Sequence, residues 1–283
     1  MRFLLLAALV FPVAAIAQTA ADSALVQRFS EAARLDAAAE AGLSVMDGIP
    51  EAGALFEQLM GDLTPQAFLD STHAAFYRDL RPDALEAAIE AFESPAFATI
   101  LDFERTMGTS FSAITQEMES VLANPNAYDL ADESLTREYL AATQQTERMV
   151  SMMEVLMVRM MSAFPGAAEE AAGEGLTVEE MVGQMIESDL RPMMDSTMHI
   201  ATRYALREAS DDDIRYATAF YASEAGQYVN DTLWAGSLAA IEPFYRRLMD
   251  MMGGLFQSLD EVEADETCKK GSPGCQTPPA DGE

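Results

Sequence analysis

Lysine is nearly missing from this 283-residue chain: Lys269 and Lys270, side by side near the C-terminal end, are its only two. Arginine supplies every other cation, and 17 basic residues stand against 47 acidic ones, a net charge of -30. Nucleic-acid affinity rests on cationic contacts to phosphate, so this balance argues against nucleic acid as a partner. Repulsion likewise opposes anionic membrane surfaces. Cysteine is as scarce, with Cys268 and Cys275 alone, so no disulfide framework holds the body together. Only two histidines occur, His73 and His199. HExxH, a Gly-rich phosphate loop, GxSxG and CxxC are all missing, which removes the familiar metal, phosphate, serine-hydrolase and dithiol signatures. Alternation of β-branched residues is missing too, and with it the pattern of a half-buried strand.

Long apolar runs are confined to the beginning. Arg2 forms a short positive region, Phe3 to Ile16 an apolar stretch of 14 residues, and Ala15-Ile16-Ala17 a small-x-small cleavage site. Residues 1–17 read as a signal peptide, with Gln18 opening the mature chain; an uncleaved anchor is the alternative. The expectation is a periplasmic or secreted protein of a Gram-negative bacterium, with no transmembrane segment after cleavage. At the other end, residues 259–283 read as an acidic, Pro-containing disordered tail. There "CKKGSPGC" brings Cys268 and Cys275 within reach of a local disulfide; the rival is a two-thiolate metal clip, which lacks further ligands nearby.

What fills the rest is helix. Ala, Glu, Leu, Met and Gln dominate between Ala20 and Gln257. Leu85, Ala88, Ile89 and Phe92 fall at i, i+3, i+4, i+7, and Ile214, Ala217, Thr218 and Tyr221 repeat that spacing. Ser210 is a strong N-cap followed by three aspartates in the first turn, and Pro82 suits the N1 position after Arg81. Ser94-Pro95 and Ser223-Glu224 each open a new helix after an aromatic end. Pro243 predicts a kink or restart in the final helix. The fold class is all-α: a helical bundle or array of about eight to ten helices.

The chain also resembles itself. Ser94 and Ser223, 129 residues apart, fix a register in which Phe92 lies on Tyr221 and Leu85 on Ile214. "QLMGDLTP" (Gln58 to Pro65) echoes "QMIESDLRP" (Gln184 to Pro192), and "DSTH" (Asp70 to His73) echoes "DSTMH" (Asp195 to His199). An internal duplication follows, with halves at 18–130 and 131–258 joined through a long helical stretch, Glu133 to Met161. Phe220, Tyr221, Ser223, Gly226 and Gln227 resemble the signature of a bacterial exported family, domain of unknown function 2059. Two copies are expected, around 55–105 and 182–235. The first, with Phe92, Ser94 and Pro95, is degenerate because Phe97 stands where Gly is expected. The resemblance implies an all-helical exported protein and no particular reaction.

Candidate chemistry is sparse. His73 and His199 hold corresponding places in the two halves and can face each other across a pseudo-two-fold axis, with Asp70 and Asp195 as supporting partners. Met149, Met153, Met157 and Met160 share a helical stripe, with Met152 and Met161 beside it. Such a stripe is core packing or an adaptable groove for a partner helix or lipid-like ligand. Met193, Met194, Met198 and His199 form the candidate set for a soft metal such as copper. No catalytic residue and no cofactor is expected. The leading reading is a non-enzymatic exported protein that works through an envelope partner or self-association. The alternative is a binder of copper or an apolar ligand through the Met-rich helices.

Overall fold

The structure, a computed structural model, describes residues 20–40, 63–101, 119–163 and 175–269, with Gly61, Gly166 and Gly173. The signal-peptide segment, the Cys268–Cys275 pairing, the tail beyond residue 269 and most of the 165–175 connection lie outside the described residues. Among the described residues every regular element is helical. Nine α-helices follow in order: α1 (Ala20–Ala32), α2 (Pro65–Arg78), α3 (Pro82–Phe92), α4 (Glu133–Thr143), α5 (Gln145–Ala163), α6 (Val178–Met185), α7 (Arg191–Ala205), α8 (Asp211–Ala222) and α9 (Glu224–Lys269). None of the described helices is long and apolar enough to cross a membrane.

Local signals start these helices as the sequence dictates. Thr64 accepts from the Ala67 amide ahead of Pro65, and Asp132 accepts from the Leu135 amide to open α4. Thr177 with Glu180, and Ser210 with Asp213, form reciprocal capping boxes at α6 and α8. A π-helical turn, Ile186–Leu190, joins α6 to α7. Pro192 follows directly and lacks the amide that a regular α-turn needs, so the wider turn absorbs the mismatch.

Packing then sorts the helices. α1 lies on α3 as α4 lies on α8, while α9 packs along α2 and α3. One core collects Phe29, Phe76, Leu85 and Phe92 from the first half with Leu135, Tyr139, Ile214 and Val229 from the second. The two proposed halves therefore share a single interior. A smaller core forms around Val150, Val178, Val182 and Ile186, where α5, α6 and the π turn meet.

The stretch Glu133 to Met161 is not one helix: Gln144 has φ 55° and breaks it into α4 and α5. The break lets α4 bury Tyr139 and Thr143 in the main core while α5 buries Val150 in the smaller one. Of the kink or restart expected at Pro243, the restart does not occur: Pro243 lies inside α9, which continues past it. α9 continues to Lys269, past residue 259.

Candidate functional site

Ser94 and Ser223 are helix corners. Ser94 Oγ donates to the Ala91 carbonyl at 2.6 Å and accepts from the Phe97 amide at 3.4 Å. Ser223 Oγ donates to the Phe220 carbonyl at 2.6 Å and accepts from the Gly226 amide at 3.1 Å. Both hydroxyls are spent on ending one helix and starting the next. The corners meet face to face: Phe92 packs on Phe220 at 5.5 Å between ring centroids, and Phe97 on Phe220 and Tyr221 at 5.6 and 5.8 Å. Pro95 stays exposed, and Gln227 lines a cleft with Arg81 and Tyr228. There the Tyr228 hydroxyl donates to the Asp79 carbonyl at 2.8 Å, and burial pushes its pKa up.

The histidines do not face each other. His73 lies in a cleft of about 500 Å³ between α1 and α2, and His199 in a separate one of about 590 Å³ between α4 and α7. His73 Nε2 is 3.2 Å from Ser30 Oγ, a pairing across 43 residues that no local pattern announces. Leu140 lines the second cleft, and His199 Nε2 is buried without a hydrogen-bond partner among the described residues. Desolvation lowers the pKa of both rings; Asp70 opposes this at His73, whereas Arg137 and Arg203 reinforce it at His199. Asp70 accepts from Gln66, and Asp195 lines the His199 cleft. A Ser–His pair also needs oxyanion donors to act as a nucleophile, and Ser30 sits within α1, where backbone amides are already bonded.

Methionines scatter. Met193 is 56% exposed, Met194 packs on the smaller core, and among the described residues no methionine lines the His199 cleft. The set Met193, Met194, Met198 and His199 therefore does not converge there, since a helix turns successive side chains about 100° apart. Of the α5 stripe, Met157 packs with Met161 on the smaller core, Met149 and Met153 are half-buried, and Met160 is exposed.

Sequence reasoning missed the pairing of a neighbouring face of α5 with α9. Met152, Val155 and Leu156 meet Trp234, Leu238 and Tyr245 of α9 along an apolar seam holding a cavity of about 170 Å³. Val155 is 50% exposed and Leu238 37% exposed, in contrast to the fully buried apolar residues of the core. Two ion pairs bracket the seam, Arg148–Asp231 and Arg159–Glu242, the latter at 3.0 Å. The recurrence Trp234, Leu238, Tyr245 at i, i+4, i+11 was the available signal, hidden because α9 is apolar on more than one face. No protein-family model, curated protein or solved structure matches the chain. The likeness to domain of unknown function 2059 thus rests on the corner residues alone.

Proposed function

We propose that this chain is an exported, periplasmic or secreted, non-enzymatic helical protein that acts through protein–protein contacts in the cell envelope. The apolar seam between α5 and α9 carries the reading. Val155, Leu238 and Trp234 leave apolar surface open on a chain of net charge -30, and such patches mark interaction sites in soluble proteins. Export is supported by Arg2, the apolar stretch Phe3 to Ile16 and the Ala15-Ile16-Ala17 site. The matching corners at Ser94 and Ser223 support a duplicated, 2059-like helical unit whose serines are structural.

A photo-crosslinking amino acid at position 155 of the full chain, expressed in its native host, tests the proposal. A discrete adduct with one envelope protein is expected from position 155, lost in Leu238→Asp and missing from a control at exposed Tyr216. Equal labelling from both positions, or none from either, sinks it.

A further inference from the structure

We propose that Met157, Met161, Met181 and Met194 form a site of reversible thioether oxidation by a hypohalous acid, and that their oxidation opens the smaller core while the main core stands. None of the four lines the α5–α9 seam, so the site stands apart from the contact role proposed above.

Two cores in one chain divide the methionines unequally. The chain has 19 of them, so scarcity does not keep them from any part of it. Yet among the described residues none belongs to the main core, either buried in it or packed against it; Phe29, Phe76, Phe97 and Leu85 fill that interior. The smaller core has Val150, Val178, Val182 and Ile186 at its centre, and four of the six residues packed around them are methionines. A flexible thioether used simply to fill gaps would serve in both interiors. Here it borders one alone, from three helices: Met157 and Met161 on α5, Met181 on α6 and Met194 on α7.

All four side chains are half-buried, partly against the aliphatic centre and partly open to solvent. That exposure admits an oxidant. The sulfur lone pair takes the electrophilic chlorine of hypochlorous acid, and water then displaces chloride. Sulfur gains one oxygen and loses two electrons, and chloride and a proton are released. The sulfoxide is polar and chiral, and seats poorly on valine and isoleucine. α6 feels this most, because a helix of eight residues is too short to persist in water without packing. The main core holds no thioether to convert. A methionine sulfoxide reductase, drawing two electrons from a dithiol, returns the oxygen as water and restores the apolar edge.

Met160 and Met193 supply the control, since both are exposed and neither borders a core. The full chain is treated with hypochlorite in slight excess over its methionines, mapped by peptide mass spectrometry and followed by amide hydrogen exchange. Expected are sulfoxides at all four positions, exchange in α6 faster by at least about tenfold, unchanged exchange in α3, and recovery after reductase treatment. Leucine at positions 157, 161, 181 and 194 together conserves volume and cannot take the oxygen, so α6 should stay protected. Met160→Leu with Met193→Leu should leave the acceleration intact. Four sulfoxides without faster exchange in α6 overturn the inference, as does equal acceleration in α3 or acceleration that persists in the fourfold variant. Sulfoxides at Met160 and Met193 alone overturn it too. Should the fourfold variant fail to fold, the unmodified sequence and its reversal by the reductase decide the outcome. The crosslink from position 155 is read separately, so each proposal can fail without the other.

Discussion

Ser94 and Ser223 make the same two hydrogen bonds, each donating to the carbonyl three residues back and accepting from the amide three residues on. The corners differ at two positions, Pro95 against Glu224 and, three residues after the serine, Phe97 in the place that Gly226 holds in the second. A Cβ at Gly226 would collide with the Phe220 carbonyl, so the second corner closes more tightly, at 3.1 Å against 3.4 Å for the cap bond. The first corner opens slightly and uses the added ring instead. Phe97 is fully buried among Phe92, Phe220 and Tyr221.

Ser223→Ala and Ser94→Ala should each destabilise the fold by about 1 kcal/mol, the cost of a lost N-cap, and leave partner binding at the seam unchanged. Urea denaturation followed by circular dichroism measures the first quantity. Loss of binding with the fold intact would assign Ser223 a role beyond the corner.

Gly226→Ala should cost more than its cap serine, about 1–3 kcal/mol, because the obstacle is backbone rather than a movable side chain. Gly236→Ala belongs with it, since the new methyl would strike the Thr72 backbone where α9 crosses α2. Midpoints of thermal unfolding for both variants, compared with Gly253→Ala, where the space is open, decide the point.

Phe97→Ala should cost about 3–5 kcal/mol, the range for emptying a buried aromatic site. Near-ultraviolet circular dichroism should weaken with it, because the two corners lose their shared ring. A cost under about 1 kcal/mol would mean that the corners do not depend on each other.

The histidines tie stability to pH. Each folded pKa is lowered from 6.5, so the unfolded chain takes up protons that the folded chain declines. Their contribution is full above pH 6.5 and is lost as pH falls through the lower folded values. The unfolding midpoint should therefore drop between pH 7.5 and about 5.5, above the range where most carboxylates titrate. His73→Gln with His199→Gln should flatten that slope; an unchanged slope refutes the assignment.

The heavy reliance on arginine as the cation follows the same logic of paired use. Arg191 reaches Glu147 at 2.8 Å and Glu187 at 2.9 Å, which raises its pKa, and Arg203 donates to the Ala131 carbonyl at 2.8 Å. Guanidinium forks serve two acceptors at once, a task for which lysine is poorly shaped.

Helix identity, the cap at Ser210, and the buried stripe Leu85, Ala88, Ile89, Phe92 were legible in the sequence, because each depends on neighbours within about four residues. The corner serines were legible for the same reason. What tertiary structure alone decided lies across long separations. Ser30 meets His73 while His199 Nε2 is buried without a hydrogen-bond partner among the described residues, Gln144 turns left-handed so that two cores can form, and α5 sets Val155 beside Trp234. Periodicity tells which side of a helix is apolar; only the packing of one helix on another decides which apolar side is covered and which remains open.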